Sequence, residues 1–354
     1  MNILVTGGAG FIGSNFVKKV LSKRLSADGY KVTVLDALTY AGNKKNFSKE
    51  IWNNPNFTFI EGNILDRDLV HRIMGSQDTV VHFAAYTHID RSIDLSDPFI
   101  DTDFKGTHIL LEAARHTDIK RFIHISTSEV YGSAIYAPMD EEHPIKPQSP
   151  YAAAKAGADR LVYSYYVTYN LPCVIIRPFN NYGYNQYPEK LIPYFITNAL
   201  DGKSLPIYGS GENTRDWLWV EDCVDGIIKA LDVDGSRIEG KVINLGTGED
   251  FSVNYIAEKI LEILGSKNAV QKNKSVSRRI EKVGDRPGHV KRLVASYDKA
   301  KTLLGWQPVV EFDEGLKRTV DWYVENREWW EEIKTREEFK TFERNWYGFL
   351  RRNL

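Results

Sequence analysis

The sequence predicts an α/β protein: a doubly wound parallel sheet, followed by a smaller, mixed α/β C-terminal domain. Three observations carry this. Six short runs in the first half are apolar throughout rather than alternating, as strands covered on both faces require. Helical stretches separate several of these runs, giving the strand–helix–strand rhythm of a doubly wound sheet. A glycine-rich turn joins the first strand directly to the first helix, where such folds bind phosphate.

Asn2 to Thr6 reads as the first buried strand, and a helix follows from Phe11 to Leu25. Lys31–Leu35, Phe57–Glu61, Thr79–Phe83, Arg121–Ser126 and Cys173–Arg177 are the remaining five runs, with a helix near Thr107 to His116. After Arg177 the rhythm changes. Pro178, Pro188, Pro193 and Pro206, with Gly183, Gly202, Gly209 and Gly211, cut the chain into short elements. Residues 1–177 are therefore expected to form the cofactor domain, and 178–354 mainly a substrate domain, with a possible return to the first after residue 212. Helices are expected again at Val253 to Leu264 and Lys299 to Leu304. Trp322, Tyr323, Trp329, Trp330, Phe339, Phe342, Trp346 and Phe349 recur at roughly helical spacing in the tail, which suggests a helix pair packed on the body or on a subunit.

With 354 residues the chain can bury a sizeable core unaided. Its 42% hydrophobic and 26% charged residues are ordinary for a globular protein. A net charge of -1 argues against a broad nucleic-acid surface. The two cysteines, Cys173 and Cys223, cannot build a disulfide framework, which fits a reducing, cytoplasmic setting. No apolar run reaches a membrane span, and the first residues lack a signal-peptide layout. His82, His88 and His124 lack metal-ligand spacing and read as satisfied core or loop histidines, so no metal is expected. Cys173 reads as a small core residue. Asp140, Glu141 and Glu142 read as a solvated loop.

The turn Gly7-Gly8-Ala9-Gly10-Phe11-Ile12-Gly13 has a strand before it and a helix after it, the context of a Rossmann-type dinucleotide site. Glycines permit the tight turn and let a pyrophosphate approach the backbone at a helix N-terminus. Asp36 ends the second strand, where a carboxylate accepts from a ribose diol and repels a 2′-phosphate, favouring NAD over NADP. Asn63 and Ile64 after the third strand, and Ala84 and Ala85 after the fourth, are candidate neighbours of the cofactor.

Tyr151 and Lys155 lie one helical turn apart on one face. A nearby ammonium lowers a phenol's pKa, so Tyr151 is a candidate base for a sugar hydroxyl as hydride leaves for NAD. Ser126, Thr127, Ser128 and Glu129 follow the fifth strand, bringing hydroxyls and a carboxylate to the sheet's C-terminal edge, where ligands of such folds bind.

Together these motifs resemble the extended short-chain dehydrogenase/reductase family, over nearly the whole chain. More narrowly the chain is similar to the nucleotide-sugar 4,6-dehydratases, above all those acting on dTDP-glucose. The supporting stretches are Leu38 to Asn43, His88 to Ile93, Arg177 to Gly183, Gln186 to Pro193, Arg215 to Trp217, Val220 to Asp222, and Asp285 to His289. The resemblance implies a homodimer that oxidises C4 of a nucleotide-linked hexose with NAD, loses water across C5 and C6, and returns hydride to C6. It assigns Thr127 to the C4 oxygen and Glu129 to the C5 proton. His88, Asn180, Asn181, Lys190, Leu191, Arg215, Asn244, Arg286 and His289 are the matching candidates for the nucleotide and its diphosphate. The implied dimer helices are Phe104 to His116 and Tyr151 to Tyr169.

The chain also departs from this pattern. Ser128 stands where the dTDP-glucose enzymes have an aspartic acid that protonates the leaving hydroxyl, and serine is a poor general acid. Either Glu129 performs both proton transfers, as in the similar GDP-sugar dehydratases, or the reaction is that of the UDP-glucuronate decarboxylases, which share Thr-Ser-Glu. A 4-epimerase is a third reading, against which the C5 base argues. Val290, Tyr86 and Asp103 replace the family's aspartate, glutamate and asparagine. The linked base is open among dTDP, UDP, GDP and CDP.

Overall fold

The computed structural model describes residues 1–22, 29–267 and 280–353. Strands β1 (Asn2–Thr6), β2 (Lys31–Asp36), β3 (Phe57–Glu61), β4 (Thr79–His82), β5 (Arg121–Ile125) and β6 (Cys173–Pro178) form a sheet with a seventh strand, Val242–Leu245. The order is β3-β2-β1-β4-β5-β6 and then Val242–Leu245, and every pairing is parallel. The expected doubly wound sheet is thus present, and its seventh strand comes from the second half of the chain. The first helix spans Phe11–Ser22; residues 23–25 of the expected helix lie outside the described residues.

The register explains why the strand sequences are apolar on both sides. Ile3, Val5, Val81, Ile123 and Val174 face one helix layer, built on Phe11–Ser22 and Val220–Asp232. Leu4, Val80, Phe122 and Ile175 face the other, built on Arg67–Met74, Thr107–Arg115 and Pro150–Tyr169. Successive side chains of one strand therefore enter two separate cores. The strand order reverses between β1 and β4, so the carboxyl ends of these strands open the crevice where such sheets take ligands.

Residues after β6 build a second body over those strand ends. Thr214–Trp219 pairs with Asn180–Tyr182, Asp250–Ser252 and Arg292–Leu293, while Leu205–Tyr208 pairs in parallel with Ile280–Val283. Its core gathers Phe195, Ile207, Trp219, Ile260, Trp330 and Leu350. The aromatic tail folds as three helices, Phe312–Glu325, Arg327–Thr335 and Glu337–Arg352, not as the expected pair. Asn326 and Arg336 break the helical backbone between them. Trp330 is fully buried and its indole N–H donates to the Tyr323 carbonyl (2.8 Å), which satisfies its polar edge inside the core.

Candidate active site

A cleft of about 400 Å3 runs from the glycine turn across the C-terminal ends of β1, β4 and β5 to the second body. The catalytic and substrate candidates read from the sequence all line it except Asn244, together with Gly7, Gly10, Phe11, Ile12, Gly13, Asp36, Asn63, Ile64, Ala84 and Ala85.

The cofactor end is shaped by close backbone approach. Gly7 has φ +69°, and a Cβ there would lie 2.5 Å from the Ala84 nitrogen. A Cβ on Gly13 would lie 2.4 Å from the Gly7 carbonyl oxygen. Gly10, Phe11 and Ile12 line the cleft between them, while Gly8 instead packs beneath, against Val34. Asp36 accepts from the backbone N–H groups of Ala9 and Leu38 (both 2.8 Å), which fixes its carboxylate at the end of β2. Burial raises its pKa, and those two hydrogen bonds oppose the rise. Each oxygen retains acceptor capacity for a diol. Asn63, Ile64, Ala84 and Ala85 complete this end. The cradle fits a dinucleotide, because the sequence has removed side chains where a pyrophosphate must approach the backbone.

The reaction centre is set by one helix and one strand end. Ser149 caps Pro150–Tyr169 by accepting from the Ala152 N–H (3.1 Å), Pro150 occupies the first turn, and Asn170 ends the helix in the left-handed region. This start places Tyr151 and Lys155 against the end of β5. The Lys155 ammonium donates to the Ile125 carbonyl (2.7 Å). Thr127 Oγ1 accepts from the Glu129 N–H (3.2 Å), turning the chain so that Thr127, Ser128 and Glu129 all face the cleft.

The structure corrects the electrostatic expectation at this pair. The phenol of Tyr151 is pushed up, not down, chiefly by burial and then by the Asp103 carboxylate, while a hydrogen bond with Thr127 pulls it down. Lys155 is itself lowered by burial, against Asp103 and Asp159, which raise it. Asp103 is completely buried, accepts from the Tyr86 N–H (2.7 Å) through Oδ1, and has no partner at Oδ2 among the described residues.

The far end gathers the expected nucleotide residues. Arg215 lies 3.8 Å from the Glu129 carboxylate; burial lowers its pKa, yet a guanidinium remains charged. Arg286 pairs with Asp90 at 2.6 Å. His289 pairs with Asp285 at 2.6 Å, and Lys190 donates to the Thr87 carbonyl (2.7 Å) at the start of the helix that Leu191 opens. Asn180 and Asn181 line the same wall, each with an amide oxygen that has no partner among the described residues. His88 faces the cleft too; burial lowers its pKa to about 4.

Three expectations fail here for identifiable reasons. Asn244 sits in the seventh strand, fully buried, accepting from the Tyr131 hydroxyl (2.8 Å) and donating to the Met139 carbonyl (3.1 Å), so its amide is spent inside the fold. Glu141 is not solvated: it accepts from the Asn244 N–H (2.7 Å), and burial raises its pKa. His124 is buried with neither ring nitrogen bonded among the described residues, whereas His82 is satisfied by Thr6 and Thr107. The expected core role of Cys173 holds, since the thiol is buried in β6. The cleft also holds residues given no site role from the sequence, among them Tyr40, Glu189, Tyr208 and Tyr347. Tyr347 belongs to the last helix, and only its helical spacing from the other tail aromatics hinted that this segment packs inward. Among the described residues no cluster of metal-binding side chains occurs, and no helix is long and apolar enough to cross a membrane.

Residues 4–319 match the sequence profile of the family described as GDP-mannose 4,6 dehydratase. The chain belongs to that family. It is 46% identical over 339 residues to a dTDP-glucose 4,6-dehydratase of Streptomyces niveus, covering 96% of this chain and 97% of that one. It is 45% identical over 327 residues to the low-salt glycan biosynthesis protein Agl12 of Haloferax volcanii, covering 92% and 99%. The crystal structure of DesIV, a dTDP-glucose 4,6-dehydratase from Streptomyces venezuelae with NAD bound, superposes with a TM-score of 0.87 at 42% identity, covering 94% of this chain and all (100%) of that one. A UDP-glucuronic acid 4-epimerase from Bacillus cereus is more distant in sequence, with a TM-score of 0.82 at 32% identity over 92% and 100% of the two chains. The fold class and the resemblance read from the sequence are both borne out.

Proposed function

We propose that the protein is an NAD-dependent nucleotide-sugar 4,6-dehydratase that converts a dTDP-glucose-like NDP-hexose into its 4-keto-6-deoxy product. The observation that carries this is the meeting of Tyr151, Thr127 and Glu129 in one cleft whose far wall holds Arg215 and Arg286. A dehydrogenase pair alone suits several reactions; a carboxylate beside it suits removal of a carbon-bound proton next to a ketone.

The glycine turn, Asp36, Asn63, Ile64, Ala84 and Ala85 hold NAD, which when bound supplies the acceptor and later the donor of the hydride. Tyr151 takes the C4 hydroxyl proton, held in place by Thr127. Because burial raises the phenol's pKa, the role of the Lys155 ammonium is to favour the phenolate, the base form that then accepts the C4 hydroxyl proton. Glu129 takes the C5 proton made acidic by the C4 ketone. With Ser128 beside it, Glu129 then delivers that proton to the departing C6 hydroxyl, and afterwards relays a solvent proton to C5 to complete the 6-deoxy product. Arg215 and Arg286 offer forked donors to the diphosphate. His88, Asn180, Asn181, Lys190, Leu191 and His289 surround the nucleotide and sugar.

Helix Pro150–Tyr169 exposes Tyr163, Val167 and Tyr169, and Phe104 is exposed just before helix Thr107–Arg115, apolar surface that suits a homodimer. Incubation with dTDP-glucose followed by mass spectrometry tests the assignment. Loss of one water supports it; loss of carbon dioxide from UDP-glucuronate instead would establish the decarboxylase, to which Ser128 leaves the chemistry open.

A further inference from the structure

The last helix, Glu337–Arg352, touches the cleft at two separated points. On one wall Phe342 packs edge-on to His88 (5.2 Å between ring centres) and stacks with the Arg91 guanidinium (4.4 Å), whose other face lies on Tyr40 (4.3 Å). On the other wall the helix reaches Arg286 through a chain of hydrogen bonds. Trp346 Nε1 donates to the Tyr208 hydroxyl (3.0 Å), which donates to Asp90 Oδ2 (2.8 Å). Asp90 Oδ1 in turn accepts from Arg286 Nη1 (2.6 Å).

Trp346 and Asp90 are buried, and Tyr208 and Arg286 half-buried. Trp346 is 6% exposed and Asp90 3%, while the Arg286 side chain is 13% exposed. Asp90 thus has each carboxylate oxygen committed, one to the tyrosine and one to the arginine. Tyr347 of the same helix also contacts the Tyr208 hydroxyl, so loss of the indole N–H removes one of the two contacts by which this helix holds it toward Asp90. Arg286 Nε has no partner among the described residues, so the guanidinium is held from one side and keeps a donor for a ligand. The backbone repeats the connection. Gly284 N–H donates to the Leu350 carbonyl (3.0 Å), two residues before Arg286, and a Cβ at Gly284 would lie 2.8 Å from that oxygen. Arg351 adds an ion pair to Glu281 (2.7 Å) on the same strand.

We propose that Trp346 is a positioning residue for the diphosphate of the sugar nucleotide, acting through Tyr208 and Asp90 to aim the Arg286 guanidinium. The proposal rests on the reading of this cleft as a nucleotide-sugar site. It makes the C-terminal helix a part of that site, not a cover over the core. A guanidinium recognises a phosphate by direction as well as charge, so a loosened anchor weakens binding without removing the cation.

Calorimetric titration with dTDP tests this on the intact protein. Trp346→Phe keeps an aromatic ring and removes the N–H. It is expected to bind dTDP about 3- to 10-fold more weakly, the range of one net hydrogen bond. In turnover the loss is expected in KM, with kcat within about twofold, as for uniform binding. Introduced beside Arg286→Gln, the same substitution is expected to cost less than about twofold, because coupled residues are not additive. Where Arg286→Gln binds too weakly to titrate, Asp90→Asn serves as the second background. Equal affinity of Trp346→Phe and the parent protein overturns the proposal. So does an equal loss in both backgrounds, which simple packing would give. Absence of dTDP binding by the parent protein overturns the functional reading itself, a result distinguishable from the other two.

Discussion

The Arg215 guanidinium stands 3.8 Å from the Glu129 carboxylate, with side-chain exposures of only 7% and 9%. A phosphate-binding candidate and a proton-transfer candidate therefore share one buried charge balance. Removing either charge leaves the other poorly compensated, an effect of about 3–5 kcal/mol for a buried pair.

Glu129→Gln keeps the side-chain shape and removes the base. We expect kcat to fall by about 10²- to 10⁴-fold, the usual contribution of a positioned acid–base group. Oxidation at C4 does not need this carboxylate, so nicotinamide reduction should persist in a single turnover while solvent deuterium no longer enters C5. Stopped-flow absorbance and mass spectrometry of the product check the two halves separately. Unchanged deuterium uptake would remove Glu129 from its assigned role.

Asp103 raises the pKa of Tyr151, which burial has already raised. The base form of the phenol is thus populated only as pH increases, and turnover should climb with pH on the acid side. Burial raises Asp103 itself to about 8, so above that pH, where the raised phenol of Tyr151 ionises, Asp103→Asn removes a negative charge that disfavours the phenolate. That acid limb should move to lower pH, with the maximal rate less affected than in Tyr151→Phe. A pH profile of kcat distinguishes this from a general loss of folding, which would lower the whole curve without moving it.

Gly13→Ala places a methyl 2.4 Å from the Gly7 carbonyl oxygen, and neither backbone has room to yield. We expect at least about tenfold weaker retention of NAD, the cost of displacing the turn exceeding 1.4 kcal/mol. Fluorescence of bound NADH measures it. Retention equal to the parent protein would show that the pyrophosphate does not use this turn.

These residues also show what the sequence made legible. The glycine turn and Asp36 are local: strand, turn and helix are contiguous, so their spacing alone places them. Tyr151 and Lys155 are equally local, because one helical turn fixes their common face. Asn244 misled because its strand lies within the sheet, where Tyr131 and Met139 consume its amide, and no local spacing reports that. The contact of Tyr208 with Asp90 and Trp346 was invisible for the opposite reason. Their contact joins positions 118 and 138 residues apart, and only the packed tail brings them together. The shift at Tyr151 was missed because desolvation depends on what covers the site, not on which cation lies one turn away.

The buried histidines set the acid limit of stability. Burial is the largest cause of a lowered pKa at His82, His88 and His124, with His88 brought to about 4. An unfolded histidine titrates near pH ~6.5. Below that pH the unfolded chain therefore binds protons that the folded chain refuses, and stability falls as pH drops from about 6.5 toward 4, each such group contributing up to about 1.4 kcal/mol per pH unit. His124→Phe should flatten this slope by one group, and it sacrifices no hydrogen bond because neither ring nitrogen has a partner among the described residues. His82→Phe should behave differently. It removes the ring that bridges Thr6 (2.7 Å) and Thr107 (2.9 Å), leaving buried hydroxyls to find other partners at a cost of about 1–3 kcal/mol at every pH. Urea unfolding of both variants between pH 4.5 and 8 separates the two effects: each substitution flattens the slope by one group, and His82→Phe alone adds a loss of stability that persists at neutral pH. An unchanged slope for His124→Phe would mean that this imidazole is charged or hydrated in the folded protein.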